Sequence, residues 1–329
     1  GFIPADRESE SVSKTLEYAY DDWCIARMAE AMGRTEVAQE FYARSQAWRH
    51  LLDPNTLQMR PRLNQRWLTP FDPRRVDFNY TEANAWQYRF AVPHDIEGLI
   101  EVMGGDEAFA ARLDSLFTVD SRTTGREQAD ITGLIGQYAH GNEPSHHKAW
   151  LYHFAGRPER SAERVRTILD TLYAPAPDGL SGNEDCGQMS SWYVLSALGL
   201  YPVAPGSNEY LLVPPLFSSA TIELGEERQF TVRAEGPRDG PVYVRAARLN
   251  GERLERSYLR HEEIAGGGTL WLELGKEPSR TWGRSPHLRP HSRVEGPPVL
   301  AAPYLVAPGE SFREPIEVEL RSTDDAARV

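Results

Sequence analysis

The sequence lacks any long apolar segment and any export signal at its first residues. No uninterrupted apolar run in the 329 residues approaches the ~20 residues that a membrane-spanning helix requires. The opening GFIPADRESE contains neither the basic region nor the apolar stretch of a signal peptide. We therefore expect this stretch of chain neither to cross a membrane nor to direct its own export.

Cysteine is almost absent. Cys24 and Cys186 are the only two cysteines and lie far apart in the chain, so they form neither a disulfide framework nor a metal-binding knuckle. We expect both to be buried thiols. The first residue is glycine and not methionine, which is compatible with a processed chain or a piece of a longer one.

Basic charge is also in short supply, because Lys and Arg total 36 against 48 Asp and Glu, giving a net charge of −12. Such an excess of acid disfavours a phosphate backbone as the main partner. The 40% hydrophobic and 26% charged residues are typical of an ordinary globular chain with room for one large domain or two smaller ones. Nucleic acid binding is therefore not expected.

The first two hundred residues show the periodicity of amphipathic helices. Val12, Leu16, Ala19, Trp23, Ala26 and Met28 form one apolar stripe, and Thr35 is expected to cap a second helix that ends at Asp53-Pro54-Asn55. Helical hairpins that alternate in this way fit an α/α toroid. The predicted helices cover residues 9–32, 35–52, 84–89, 95–103, 106–117, 143–156, 158–172 and 184–198.

After Pro202 the sequence changes to short β-rich runs separated by Gly, Pro and charged turns, as in a sheet or sandwich. The predicted strands cover residues 209–213, 221–224, 229–234, 241–249, 269–274 and 317–320. The fold class expected is α+β and multidomain. Residues 1–205 would form the helical domain with the catalytic motifs, and residues 206–329 a β-rich region.

The densest polar cluster is YAHGNEPSHH, residues 138–147. Pro144 suits a first helical position, which would place Glu143 at the cap and keep its carboxylate ionised. A carboxylate beside the Asn142 amide oxygen suits calcium, whereas His146 and His147 suit sugar hydroxyls or a softer metal. The alternative is that Glu143 only caps the helix and the histidines are satisfied core groups.

A second cluster is SGNEDCGQMSSW, residues 181–192. Asn183 is expected to cap a helix with Asp185 in its first turn, where the helix dipole lowers the pKa of a carboxyl. Asp185, Gln188 and Trp192 follow helical spacing, so they are expected to share one face. The alternative is that Asn183 and the acids only cap the helix and compensate its dipole.

A third cluster is YTEANAWQY, residues 80–88. Tyr80, Trp86 and Tyr88 flank Glu82, and an aromatic, poorly solvated environment raises the pKa of a carboxyl. A carboxyl of raised pKa and another of lowered pKa would supply the proton donor and the water activator that glycoside hydrolysis needs. The alternative is a buried Glu82 that is hydrogen-bonded locally.

The three clusters together resemble glycoside hydrolase family 92, the calcium-dependent exo-acting α-mannosidases. The likeness is dense over the first 215 residues and rests on residues 13–26, 80–95, 131–147 and 179–203. The resemblance implies an N-terminal β-sandwich followed by an (α/α)6 barrel, with inversion at the anomeric carbon. It also implies a calcium ion that binds O2 and O3 of mannose.

The resemblance implies the following roles. Glu82 matches the catalytic acid and Asp185 the base; the expected sugar contacts are His146, His147, Trp86, Asn183 and Trp192, and the expected calcium ligands are Asn142, Glu143 and Gln188. An inverting enzyme requires roughly 6.5–9.5 Å between the two carboxyls. Where some members carry a second Asp, this chain has Asn183, so base activation would rest on Asp185 alone.

Family proteins are about twice this long, so the sandwich and the early barrel helices of the same protein are expected partners, along with a mannose-containing glycan. Without them, some apolar faces should be exposed. The predicted function is hydrolysis of terminal α-linked mannose, as in N-glycan degradation, by a protein that family relatives place in the periplasm or outside the cell. The alternatives are a non-catalytic glycan-binding remnant and an (α/α)6 hydrolase for another sugar.

Overall fold

The computed structural model describes residues 1–309 and 311–323. Helices and strands are mixed in it, and the chain divides into two compact units that each combine distant stretches. Unit 1 contains residues 1–95, 120–129 and the described residues from Arg293 onward; unit 2 contains residues 96–119 and 130–292. The toroid and the division at residue 205 stay predictions.

The described residues form eight α-helices, and the longest, α1, buries the predicted apolar stripe. Val12, Leu16 and Ala26 are at most 1% exposed, because residues three and four apart share one face of a helix. The helices are α1 (Ser11–Ala31), α2 (Thr35–Arg44), α3 (Ala85–Tyr88), α4 (Ile96–Val102), α5 (Asp106–Thr118), α6 (Pro158–Thr171), α7 (Gln188–Leu198) and α8 (His261–Ala265). None of the described helices is long and apolar enough to cross a membrane.

Two details of the α1–α2 hairpin differ from expectation. Thr35 is the first residue of α2 and not its cap, since Arg34 precedes the helix without a side-chain cap. The predicted second helix is also two elements, because the chain tightens into the 3₁₀ helix Ser45–His50 after α2. Short 3₁₀ segments are common at helix ends.

One face of α1 is apolar and exposed. Met28, assigned by its spacing to the buried stripe, is 64% exposed, and Tyr18, Ile25 and Met32 are 54%, 43% and 58% exposed. Tyr18, Ile25 and Met32 are seven residues apart in turn, so they line up along the helix. Exposed apolar faces were expected, and α1 presents one.

The cysteines are not the buried thiols that were expected. Cys186 is exposed and Cys24 is half-buried, and they do not form a disulfide with each other. Burial raises the pKa of Cys24, which lowers its reactivity toward electrophiles. Cys186 lies in an open loop that also carries predicted site residues.

The core of unit 2 is a five-stranded sheet in the order β12-β11-β14-β10-β9, in which only the β10–β14 pair is parallel. Alternate residues of each strand face the core, as Leu270, Leu272 and Leu274 do. A second sheet has the order β13-β8-β7. The strands of unit 2 are β5 (Leu134–Ile135), β6 (Tyr138–Ala139), β7 (Leu200–Tyr201), β8 (Glu209–Leu212), β9 (Ser219–Glu223), β10 (Gln229–Glu235), β11 (Tyr243–Leu249), β12 (Glu252–Leu254), β13 (Tyr258–Arg260) and β14 (Gly268–Gly275).

The described strands of unit 1 occur in two-stranded pairs: β1 with β2, β3 with β4, and β15 with β16. Only the third pair has three residues in each strand, and its β16 overlaps the strand predicted over 317–320. The strands are β1 (Arg62–Leu63), β2 (Arg66–Trp67), β3 (Arg75–Val76), β4 (Thr124–Gly125), β15 (Tyr304–Val306) and β16 (Glu319–Arg321).

Candidate functional site

Residues 138–148, here called the histidine turn, carry the first predicted cluster. The single helix expected over 143–156 is instead two 3₁₀ helices, Glu143–Ser145 and Lys148–His153. Asn142, not Glu143, occupies the N-cap position, with extended backbone and no side-chain cap. Pro144 is the second residue of the first 3₁₀ helix, one position later than expected, and the segment is a tight turn.

His140 lies at the centre of the histidine turn and is fully buried. The Tyr138 hydroxyl is 2.7 Å from Nδ1 of His140, and Nε2 is 2.7 Å from the Tyr173 hydroxyl. The Tyr173 hydroxyl donates to the carbonyl oxygen of Met189 at 3.1 Å, so it accepts the proton on Nε2. Both nitrogens of His140 are thereby satisfied, and the chain of hydrogen bonds ends in the first turn of α7.

His146 brings three of the predicted site residues together. Its Nε2 donates to the carbonyl oxygen of His140 at 2.9 Å, and its Nδ1 is 3.3 Å from the Gln188 amide nitrogen. The Trp192 indole donates to the carbonyl oxygen of His146 at 3.0 Å. Gln188 and Trp192 are one turn apart on α7, so α7 holds the histidine turn by two side chains.

The two histidines are neutral near physiological pH. Burial lowers the pKa of His146 to about 4 and that of His140 to about 2, because desolvation penalises the charged ring. His140 also packs edge-on against Trp192, with ring centroids 4.5 Å apart. A neutral ring can accept one hydrogen bond and donate another, and His146 and His140 each do both.

Residues 181–187, here called the acidic loop, carry the predicted base. The helix expected from residue 184 begins only at Gln188, after Gly187 in a left-handed conformation with φ of 85°. Asp185 is exposed and its φ is 41°. It therefore precedes the helix and does not share a helical face with Gln188, so its expected place in the first turn of α7 was wrong.

Asn183 does not cap α7, because its amide donates to Asp130 at 2.9 Å. Glu184 instead caps α7 from outside the helix. Its carboxylate accepts hydrogen bonds from the backbone N–H of Ser190 at 3.0 Å and from the Ser190 hydroxyl at 2.8 Å. A carboxylate at this position also complements the helix dipole. The α7 N-terminus is thus closed by the acidic loop folding back on it.

Two glycines join the histidine turn to the acidic loop. A Cβ on Gly182 would lie 2.5 Å from the Cα of Gly141 and 2.6 Å from its carbonyl oxygen. Such distances are well inside van der Waals contact. The two backbones approach each other there more closely than any other residue type permits.

Glu82 and Trp86 belong to unit 1. Glu82 is half-buried with a left-handed φ of 51°, a conformation that is uncommon for a residue with a Cβ. It precedes α3, which Asn84 and Gln87 begin with a capping box. Trp86 is half-buried on α3, with the Arg89 guanidinium 5.3 Å from its ring centroid.

The remaining expected ligands lie in the histidine turn. Asn142 and His147 are buried and Glu143 is half-buried. Within residues 1–309 and 311–323, no three His, Cys, Asp or Glu side chains are close enough to hold a metal ion. The expected ligands instead combine the amide oxygen of Asn142 with the carboxylate of Glu143, donor types that calcium accepts.

Tyr173 and Lys148 were not among the predicted site residues. Lys148 is fully buried, and its ammonium donates to the carbonyl oxygen of Pro144 at 2.8 Å; burial lowers its pKa to about 7. The only feature of the sequence that distinguishes Lys148 is the scarcity of lysine, since the chain has three lysines in all. Nothing in the spacing of Tyr173 indicates its contact with His140, 33 residues earlier.

Comparisons with known proteins place the chain. The glycosyl hydrolase family 92 catalytic domain matches residues 1–276. An uncharacterized secreted glycosidase of Arthroderma benhamiae is 30% identical in an alignment 318 residues long, and the match covers 86% of this chain and 39% of that protein.

Two solved structures are similar as well. A family GH92 alpha-mannosidase from Bacteroides thetaiotaomicron is 39% identical with a TM-score of 0.82, covering 88% of this chain and 38% of that one. A family GH92 inverting mannosidase from Bacteroides thetaiotaomicron is 38% identical with a TM-score of 0.80, covering 89% of this chain and 41% of that one. The chain spans about two fifths of the length of these relatives.

Proposed function

The chain belongs to glycosyl hydrolase family 92, and we propose that it carries the catalytic residues of an enzyme that removes terminal α-linked mannose from glycans with inversion. Two solved relatives bear the names alpha-mannosidase and inverting mannosidase, and the first was also solved with mannoimidazole. The observation that carries the proposal is the convergence of His146, Gln188 and Trp192 in one hydrogen-bonded cluster.

In this proposal Asp185 is the general base and Glu82 the general acid. Asp185 removes a proton from the attacking water as the water oxygen bonds to the anomeric carbon. The bond from that carbon to the leaving oxygen breaks, and Glu82 gives its proton to the leaving oxygen. The exposed position of Asp185 suits a group that must reach water.

His146 and Gln188 would orient the sugar and the metal. Because the Gln188 amide nitrogen faces His146, its carbonyl oxygen remains as a hard donor. Trp192 is fully buried and holds His146 through its backbone, so any contribution to sugar binding passes through that contact. His147, Trp86 and Asn183 remain proposed sugar contacts.

The donor types of the histidine turn fit calcium. Asn142 and Gln188 offer amide oxygens and Glu143 a carboxylate, and calcium prefers oxygen donors of these kinds, with six to eight in all. Family 92 enzymes are in general calcium-dependent, and a bound calcium would supply Lewis-acid binding of the mannose diol. We propose that these three side chains contribute to that site.

We propose that the rest of the protein completes this region. This chain matches only part of each relative. In our proposal, the N-terminal sandwich and the early helices of an (α/α)6 barrel correspond to the unmatched part. They would also cover the exposed apolar face of α1 that Tyr18, Ile25 and Met32 form. The name of the Arthroderma relative, a secreted glycosidase, supports a location outside the cell or in the periplasm.

The test is release of mannose from an α-linked mannobiose, with the product anomer read by NMR. We expect β-mannose to appear first, activity to vanish on chelation and return with calcium, and Asp185→Asn and Glu82→Gln each to lower kcat by about 10²–10⁴-fold. Asp178→Asn is the matched control, because Asp178 is an exposed acid in the same unit.

Three outcomes would contradict the proposal: α-mannose as the first product, full activity in Asp185→Asn, or cleavage of glucosides but not mannosides. The chain spans about two fifths of the length of its relatives, which gives weight to a second candidate, a glycan-binding remnant. Binding of mannoimidazole without turnover, by this chain and by the longer protein alike, would establish the remnant and overturn the enzyme.

A further inference from the structure

The solvent side of the five-stranded sheet carries a tryptophan in its central strand. In β14 the leucines face the core, so the intervening Thr269, Trp271 and Glu273 face outward. Trp271 is half-buried although it points away from the core. A large aromatic on the outer face of a sheet has no role in the core and marks a candidate contact surface.

Registered neighbours form a row across the sheet at Trp271. Arg233 of β10 and Arg248 of β11 are its direct partners on either side, and Arg253 of β12 is the partner of Arg248. Directly opposed residues on one face interact through their side chains. The row therefore presents an indole flanked on both sides by planar, hydrogen-bonding guanidinium groups.

One side of Trp271 borders a groove of about 490 Å³ lined by Arg248, Asn250, Gly251, Thr269 and Trp271. Asn250-Gly251 is the tight turn between β11 and β12, and both residues have positive φ, as Asn-Gly hairpin turns require.

The groove walls are fixed in place. The Asn250 backbone N–H donates to the carbonyl oxygen of Thr269, and the Thr269 N–H donates to Oδ1 of Asn250, both at 2.8 Å. The Arg248 guanidinium donates to the carbonyl oxygen of Gly251 at 3.2 Å. Groups held in this way lose little freedom when a ligand arrives.

Charge on this face is close to balanced. Arg233, Arg248 and Arg253 are offset by Glu235 and Glu273 on the same face, and by Glu255, which pairs with Arg253 at 3.0 Å. The whole chain is also strongly acidic, at −12. A polyanion would gain little from such a surface, and a neutral ligand with many hydroxyl groups fits it better.

We propose that this groove is a second glycan-binding site, in which a neutral hexose of a polysaccharide stacks on Trp271 and its hydroxyls bond to Arg248, Asn250 and Thr269. The apolar face of a pyranose matches an indole, and the planar guanidinium donates in pairs. The choice of mannose among hexoses rests on the proposed function. The site would hold the polymer while its ends are processed elsewhere.

The test is retardation of the 329-residue protein in native gels containing soluble α-mannan, read without any hydrolysis. We expect Trp271→Ala to weaken retention by about 10-fold or more, as for loss of an aromatic anchor, and Trp271→Phe to weaken it less. Phe217→Ala is the matched control, since Phe217 is an exposed aromatic of the same unit outside the groove. Mannobiose hydrolysis should be unchanged in Trp271→Ala.

Several results would overturn the second site while leaving the proposed function intact. Wild-type retention of Trp271→Ala, with circular dichroism showing a folded protein, is one. Retention that His146→Ala abolishes and Trp271→Ala does not would assign binding to the first site. Retention by heparin but not by mannan, or a dimer that Trp271→Ala dissociates in light scattering, would replace the glycan with a polyanion or a second copy.

Discussion

The histidine turn and the acidic loop both carry predicted site residues, yet they are built in opposite ways. In the turn, His140 and His146 are buried and each ring nitrogen has a partner. In the loop, Asp185 and Cys186 are exposed and lie in the left-handed region, with φ of 41° and 56°. The turn encloses its histidines in a buried network, whereas the loop leaves its predicted base exposed on a strained backbone.

This difference suits two different tasks. Groups that orient a sugar gain from being fixed before the ligand arrives, whereas a group that takes a proton from water must remain accessible to water. Residues with a Cβ in the left-handed region cost of order 1–3 kcal/mol each and persist where the surroundings impose them. The strained conformations of Asp185, the proposed base, and of Cys186 are therefore consistent with a functional constraint on that loop.

The largest effect is expected where the two segments touch. Gly182→Ala would place a methyl group against the backbone of Gly141, where neither side can yield, and we expect a loss of about 3 kcal/mol in the free energy of unfolding. Gly187→Ala is the control, because it meets no atom within 4 Å and adds only left-handed strain, about 1 kcal/mol. Urea unfolding measures both.

Equal losses in the two glycine variants would mean that the close approach at Gly141 relaxes freely, and the contrast between turn and loop would lose its steric basis. Measuring the catalytic activity of the same variants extends this test. We expect Gly182→Ala to lower kcat as well as stability, since it displaces both candidate segments at once.

A smaller effect is expected from Tyr173→Phe, which removes the hydroxyl between His140 and Met189. The buried N–H of His140 then has no acceptor, which costs about 1–2 kcal/mol. Tyr193→Phe is the matched control, because its ring packs 4.9 Å from that of Tyr173. A loss in Tyr193→Phe equal to that in Tyr173→Phe would assign the effect to packing and not to the hydrogen-bond chain.

For Lys148 the expected effect is a dependence of stability on pH and not a single loss. The folded pKa of about 7 lies below the ordinary value of 10.5, so between these values the unfolded state binds more protons than the folded state. The stability of the wild type relative to Lys148→Met should therefore rise with pH in this window, by up to about 1.4 kcal/mol per pH unit.

Urea unfolding at three pH values inside that window would measure the slope. Lys276→Met serves as the control, since Lys276 is exposed, and its stability should run parallel to the wild type. A flat difference between wild type and Lys148→Met would show that the ammonium is solvated, and that the histidine turn is more open than its burial indicates.

The sequence predicted elements well where a long pattern had one interpretation. The core strand β14 was expected over residues 269–274 and runs from Gly268 to Gly275, because alternating leucines permit only one register. The three-residue strands β12, β13 and β15 were missed, since runs so short carry no periodicity. The two compact units could not be predicted from local sequence patterns either, because each unit joins stretches that are distant in the chain.

The candidate site was predicted as a set of motifs but not as a geometry. His146, Gln188 and Trp192 were selected, and the structure brings them together. The single helix over residues 143–156 and the helix start at residue 184 were wrong, because contacts to distant residues shape both segments. Tyr173 and the paired glycines act across the fold, which no local spacing encodes, and the roles of Glu82 and Asp185 stay predictions.

The paired glycines also bear on how this region can be altered. A side chain on Gly182 would meet the backbone of Gly141, and one on Gly141 would meet the carbonyl oxygen of Ser181. Substitutions in either segment are therefore constrained by the shape of the other. A transfer of the histidine turn into a relative would therefore need to include the acidic loop in the same exchange. The two segments are structurally coupled, although about forty residues of chain separate them, so substitutions in them are not expected to be additive.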